Sequence, residues 1–406
     1  MKLLPFAAFV ILLTFFLFSC SPALSAPEVL TATPLIDLPT QPVENFPTVA
    51  QTLAEAAPRN VSMPGAQAVY EKSGNLWAWT GDSAPLQLTS GGADSRPRLS
   101  PDGKLVAFQR GTGLWAVEIS GQNPRKLFGE NSAVPAQFEF APSSHKVYFT
   151  SAGLDGQLRF DLNLADADSG LSQNLLPAGQ GGRFTFAPDG KLLALVRPDQ
   201  IATAQADGSG AQVVFSFQST QGSNGEYLPQ IMWMDNGFGF KTIIPGGAGQ
   251  PARFMFIMYM GGPPAQLAEF SAAAPTVSES FIAPDGSKAA YLKESGDNLE
   301  LHVIDASTAD KAYFAHKRGQ IALLGWTPDS QNLLFWLDDA RSTWMMSGNA
   351  QNPLSDVSFA ADVRWLDANS YIFRNDSELR LRILGQPSQI IDTGITGGFD
   401  VEKTSP

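Results

Sequence analysis

Leu99-Ser100-Pro101-Asp102-Gly103-Lys104 runs directly into Leu105-Val106-Ala107-Phe108, and the same phrase returns along the chain. It recurs as Phe140-Ala141-Pro142-Ser143-Ser144, Phe186-Ala187-Pro188-Asp189-Gly190-Lys191, Ile282-Ala283-Pro284-Asp285-Gly286-Ser287 and Trp326-Thr327-Pro328-Asp329-Ser330. Shorter versions stand at Trp233-Met234-Asp235-Asn236-Gly237 and Trp365-Leu366-Asp367-Ala368-Asn369. Proline presets φ for the first corner of a tight turn, Asp accepts backbone hydrogen bonds, and Gly suits the exit. Each phrase therefore predicts a hairpin between two strands.

Counted between the leading apolar residues, the repeats are 41, 46, 47, 49, 44 and 39 residues apart. The segments between them are short apolar runs broken by Gly, Pro, Asp, Asn and Ser, with no sustained helical period. Runs such as Leu192-Leu193-Ala194-Leu195-Val196 and Leu333-Leu334-Phe335-Trp336 are apolar at successive positions, which calls for burial on both faces of a sheet. A second hairpin follows in each unit, as at Ser120-Gly121-Gln122-Asn123, Ala206-Asp207-Gly208-Ser209-Gly210 and Ser347-Gly348-Asn349. Four strands per unit, repeated every 40 to 50 residues, predict an all-β chain folded as a single β-propeller of four-stranded antiparallel blades. The seven phrases are joined by an incomplete unit at the front, where Ala68-Val69-Tyr70, Leu76-Trp77-Ala78-Trp79 and Leu86-Gln87-Leu88 lack a leading strand. Gly398-Phe399-Asp400-Val401 supplies it, giving eight blades, with seven as the alternative because 219–274 is degenerate.

The stretch from Asp94-Ser95-Arg96-Pro97-Arg98 through the first phrase to Leu114-Trp115-Ala116-Val117 and Gly121-Gln122-Asn123-Pro124-Arg125-Lys126-Leu127 resembles a blade of the TolB-like, WD-repeat-like propeller family. The resemblance extends over 67–395, strongest around Asp102, Asp189 and Asp285 and weakest from Thr220 to Ala274. It implies a propeller fold. The segment before the repeats is too short and proline-rich to be the α/β domain that precedes the propeller in the family's namesake.

The chain begins Met1-Lys2 and continues with an almost unbroken apolar run from Leu3 to Phe18, the pattern of an export signal. Leu17-Phe18-Ser19-Cys20 resembles a bacterial lipobox, and Cys20 is the only cysteine of the 406 residues, so it has no disulfide partner within the chain. We expect residues 1–19 to be a lipoprotein signal peptide, Cys20 the lipid attachment point, 20–65 a Pro/Thr/Ala-rich tether, 66–402 the propeller and 403–406 a tail. A diacylated cysteine anchors a protein stably where one acyl chain does not. The expected location is the cell envelope, at the extracytoplasmic face of a membrane.

With 39 acidic against 27 basic residues and a net charge of −12, the chain repels phosphate backbones, and nucleic acid is not an expected partner. There is no Gly-x-Ser-x-Gly elbow, no phosphate-cradling Gly-rich loop ending in Lys-Ser or Lys-Thr, and no paired metal-binding histidines. His145 and His302 read as residues satisfying local polarity, and His316 belongs to no pair. Asp166-Ala167-Asp168-Ser169-Gly170 lacks the downstream Glu of a calcium loop and reads as a turn. Phe254-Met255-Phe256-Ile257-Met258-Tyr259-Met260 has the length of a buried strand. No catalytic residue, metal ligand or cofactor is assigned, and the ligand-binding residues are not legible. The expected function is binding of a protein, peptide or glycan by a non-catalytic propeller; the alternatives are a hydrolase or lyase acting at the channel mouth and a structural subunit of an envelope or transport assembly.

Overall fold

The computed structural model describes residues 61–404, apart from 130–131, 223–224, 247–249, 274–279, 306–307, 318–320, 338–341, 348–349 and 354–361. The expected signal segment, Cys20, most of the expected tether and the expected Gly348-Asn349 turn lie outside the described residues, as does the side chain of His316. The described residues belong to the second of two compact units, Ala57–Pro406. They form eight four-stranded antiparallel sheets and one two-stranded ribbon, Gln221–Gly222 with Gly225–Glu226.

Seven sheets are continuous in sequence, each strand pairing with the next. In the first of them, Asp94–Leu99, Leu105–Arg110, Gly113–Glu118 and Arg125–Phe128 follow one another. The remaining sheet joins the chain ends: Ile395–Lys403 pairs with Ala66–Lys72, followed by Asn75–Trp79 and Leu86–Gln87. This is the closure expected from the incomplete front unit, although the C-terminal strand reaches Lys403, one residue past the predicted boundary.

Eight apolar clusters tie these sheets into a ring. Val69 and Leu76 of the closing sheet pack with Leu99, Val106 and Phe108 of the next, and Leu105 and Leu114 pack in turn with Phe138 and Phe149. The series returns to its start where Ile372 and Leu381 meet Tyr70 and Phe399. Each middle strand is covered on both faces by neighbouring sheets, as its unbroken apolarity requires: Leu193, Ala194 and Leu195 are wholly buried. Burying both faces and closing the ring removes the long open edges that invite aggregation. This is a β-propeller.

The repeated phrase forms the turn between first and second strands. In Ser100–Gly103 the Gly103 N–H donates to the Ser100 carbonyl at 2.8 Å, and Gly103 takes φ +69°, where a side chain is strained. The buried Ser100 Oγ donates to Asp102 Oδ1 at 2.8 Å and accepts from the Leu105 N–H at 2.9 Å. Thr327 repeats this role, donating to Asp329 and accepting from the Asn332 N–H at 3.0 Å. The first strands line the axis: Ile395–Lys403 lies against both Asp94–Leu99 and Asp362–Asp367, and Asp400 Oδ2 accepts from the Leu99 N–H at 2.9 Å. Strands alternate in direction, so the turns after first and third strands share one face of the ring. Turns after second strands and links between sheets share the other.

Candidate functional site at the channel mouth

On the face opposite the Pro-Asp-Gly turns, a cavity of about 1230 Å³ opens at the axis. Its wall comes from the first strands Asp94–Leu99, Ala133–Phe140, Arg183–Phe186 and Ser280–Ile282. Its rim comes from the turn at 154–161 and from 217–230, the segment that carries the two-stranded ribbon.

Each rim element has a local cause. The buried Asp161 carboxylate accepts from the Ser151 N–H and Ser151 Oγ, both at 2.7 Å, and from Asn163 Nδ2 at 2.9 Å, which pins the base of the 154–161 turn. Beside it, Phe160 has φ +50° and lines the cavity. Arg96 has φ +56° at a bulge in its strand, and its guanidinium is consumed by structure. It donates to Gln109 Oε1 at 3.1 Å and to the Pro135 and Ala136 carbonyls at 2.8 and 2.5 Å, and lies over the Phe138 ring. Tyr227, on the rim segment, donates its hydroxyl to the Ile243 carbonyl at 3.1 Å and anchors that segment to the next sheet.

Three polar groups of the wall are not consumed in this way. Arg98 donates only to the neighbouring Pro97 carbonyl, at 3.0 Å, and Arg183 is exposed; neither is ion-paired among the described residues. Thr150 is 2% exposed, yet its Oγ1 makes no hydrogen bond. Glu139 lies in the same wall, and burial holds its carboxyl above the usual range even though Arg98 and Arg183 both pull it down. Further along the channel, burial likewise raises Asp400 against Arg98 and Arg364, and Asp362 against Arg364 and Arg374. Among the described residues the axis thus carries arginines and reluctant acids on five of the eight first strands: Asp94–Leu99, Ala133–Phe140, Arg183–Phe186, Asp362–Asp367 and Ile395–Lys403.

The opposite face carries a smaller cavity of about 500 Å³ with His145 at its wall. His145 Nδ1 is 2.9 Å from Asp168 Oδ2 and Nε2 is 3.1 Å from Asp102 Oδ2. Burial alone would lower the imidazole pKa, but the hydrogen bonds to Asp168 and Asp102 outweigh it and raise it. Asp102 is moved the other way: burial is overcome by hydrogen bonds from Ser100, Lys104 and His145, which hold its carboxyl well below the usual range. The histidine therefore satisfies local polarity, as read from sequence, and its partners join the turns of two successive sheets. His302 is buried, 3.1 Å from Glu300 Oε2 and tilted against Tyr291. Asp166 accepts from the Asp168 and Ser169 N–H groups at 3.0 and 2.9 Å, a turn held by its own carboxylate. Phe254, Met255 and Ile257 are buried in strand Pro251–Met258. Among the described residues no group of three or more His, Cys, Asp or Glu side chains is arranged to hold a metal ion, and no helix is long and apolar enough to cross a membrane.

No protein-family model matches the chain, and no curated protein matches it. Solved structures do. A eukaryotic initiation factor structure aligns with a TM-score of 0.53 at 13% identity, covering 82% of this chain and 85% of that one. A putative TolB from Agrobacterium tumefaciens aligns at 0.36 and 12%, covering 62% and 89%, and an oligogalacturonate lyase in complex with manganese at 0.47 and 14%, covering 68% and 88%. Identities this low speak to fold alone, and the fold seen in this chain is the β-propeller of four-stranded blades anticipated from its turn phrases.

Proposed function

We propose that the chain is a non-catalytic receptor of the bacterial cell envelope, tethered through a lipidated Cys20, whose channel mouth takes up a peptide segment of a partner protein. The observation that carries this reading is the lining of the mouth. Half-buried Leu158, Phe160, Leu228 and Phe281 stand among arginines and glutamines, a mixture that suits the alternating side chains of a peptide. At about 1230 Å³ the cavity exceeds the usual 300–1,000 Å³ small-molecule pocket. Among the described residues the axial acids are dispersed among arginines, and the two histidines whose side chains are described lie elsewhere.

The test is site-directed photo-crosslinking of the full-length protein in vesicles, incubated with envelope extract. A photoreactive residue replacing the exposed Gln157, at the mouth, is expected to label one segment of one partner. The same residue replacing Leu171, 74% exposed beside a turn of the opposite face, is expected not to. Equal labelling from the two positions, or none from Gln157, overturns the assignment.

A further inference from the structure

Among the described residues six large apolar side chains are exposed, and five of them stand on the face of the Pro-Asp-Gly turns. Leu86 and Val213 lie at the start of outer strands, Leu171 just precedes one, Met260 lies in the turn between Pro251–Met258 and Ala265–Ala273, and Phe238 follows the Asn236-Gly237 turn. The sixth, Leu154, stands on the mouth face, just past the second strand Lys146–Gly153. Single exposed apolar residues are ordinary, but a cluster is not. Phe238, Met260 and Val213 gather around Tyr259. The Phe238 ring meets the Tyr259 ring edge-on with centroids 6.2 Å apart, and Met260 is the next residue in the chain. The Tyr259 carbonyl accepts from Thr203 Oγ1 at 2.7 Å, and Thr203 pairs with Gln212, the neighbour of Val213.

The chain enters the ring on this same face. Val61 is buried, the Met63 N–H donates to the Gly81 carbonyl at 3.0 Å, and Ser62 Oγ donates to Asp82 Oδ1 at 2.8 Å. Gly81 and Asp82 belong to the turn between Asn75–Trp79 and Leu86–Gln87, after a third strand. Forty residues lie between Cys20 and Val61, so an anchor at Cys20 keeps the entry point within about 140 Å of a bilayer. Confinement of that kind lets a contact too weak to hold a free protein become occupied. Asp207 and Asp235 border the cluster and Asp168 borders Leu171, so the lipid it suits is zwitterionic.

We infer that this face rests on the surface of the bilayer that holds the Cys20 anchor, with Phe238, Tyr259 and Met260 in the headgroup layer and the channel mouth turned away from the membrane. The inference rests on the anchored-receptor reading and gives it an orientation. A tyrosine ring, apolar in body and polar at its tip, favours the boundary between headgroups and acyl chains. Such a patch binds reversibly, in proportion to the apolar area it buries. The anchor supplies a bilayer at the face by which the chain enters, which favours lipid over a second copy of the chain.

The experiment uses the full-length, lipidated protein in phosphatidylcholine vesicles, with a fluorophore on an introduced cysteine and brominated acyl chains as the quencher. Cys20 is the only native cysteine, and acylation consumes its thiol, so the introduced thiol alone is labelled. Met260→Cys, 67% exposed on the apolar face, is expected to be quenched at least about threefold more than Leu154→Cys, 63% exposed on the mouth face. Phe238→Glu, at an exposed position, should bring the quenching of a Val213→Cys probe down toward the Leu154 level with an unchanged melting temperature. Exchanging part of the lipid for phosphatidylglycerol should lower it too, because the bordering aspartates repel that headgroup. Equal quenching at Met260 and Leu154, or stronger quenching at Leu154, overturns the assignment. A Met260 probe that responds only when envelope extract is added overturns it in favour of a protein on this face. If the protein floats with the vesicles while Met260 stays unquenched, the orientation fails and the anchor stands; if it does not float with them, the anchor and the orientation fail together.

Discussion

Replacing Phe399 with Ala tests whether the C-terminal strand holds the ring closed. Phe399 is 1% exposed, sits opposite Tyr70 in the pairing of Ile395–Lys403 with Ala66–Lys72, and packs with Trp79, Ile372, Leu381 and Ile391. Burying a phenylalanine and then deleting it from a packed core costs about 3–5 kcal/mol, the transfer term plus the cavity left behind. Typical net stabilities are about 5–15 kcal/mol, so this one seam carries a large share. The loss also falls where the first and last parts of the chain meet. The variant should therefore become sensitive to protease at Ala66–Lys72, which needs Ile395–Lys403 to cover one edge. The assay is urea unfolding followed by tryptophan fluorescence, with Phe238→Ala as the reference. Phe238 is 57% exposed, and its loss should stay within about 0.5 kcal/mol. A Phe399→Ala cost below about 1 kcal/mol, or one equal to the reference, would refute the claim that the seam is closed by packing of this strand.

Thr150→Val removes a buried hydroxyl that makes no hydrogen bond, so the variant should melt at or above the wild-type temperature; a lower melting temperature would mean the hydroxyl is satisfied in the folded protein. His145 has a folded pKa raised above the ordinary 6.5, so its contribution is complete below about pH 6.5 and fades as pH rises through the folded value. The melting temperature should fall between pH 6 and 8 by an amount that His145→Gln abolishes; an unchanged slope in the variant would show that the bridge to Asp102 and Asp168 contributes nothing. Asp94, with a fully buried carboxylate 2.6 Å from Arg110 Nε, should cost about 2 kcal/mol as Asp94→Ala, the full penalty of breaking a buried pair being reduced because Arg110 remains partly hydrated. A midpoint shift within about 0.5 kcal/mol would argue that the pair adds no stability.

The turns and strands were legible because their causes are local. Pro101, Asp102 and Gly103 fix a corner by their own torsions and hydrogen bonds, and Leu193-Ala194-Leu195 declares two-sided burial within three residues. Even the closing sheet was readable, since three strands at the front lacked a leader and one strand at the end lacked followers. The site was not. Arg98, Thr150 and Arg183 follow one another at intervals of 52 and 33 residues, each inside a different strand, and only the ring brings them to one cavity. Arg98 stood within the stretch that carried the family resemblance, where it looked like part of the blade. The one available signal was negative: the repeat is weakest from Thr220 onward, where Tyr227 and Leu228 leave the blade pattern to form the rim.

That failure of the repeat has a physical direction. On the Pro-Asp-Gly face each turn satisfies its own backbone, as Ser100 and Asp102 do for Gly103, Lys104 and Leu105, and successive turns are cross-linked by His145 or by Ser330 Oγ accepting from the Asp285 N–H at 2.9 Å. A turn so constrained has little freedom to vary, because a change in length would orphan buried donors. The opposite face carries links held mainly at their bases, ranging from the tight turn at Gly111 to the long passage from Phe217 to Gln230. Length can change there at the modest cost of loop closure, which grows only logarithmically. Recognition is therefore free to diversify on the face where the cavity opens, while the other face keeps the ring in register.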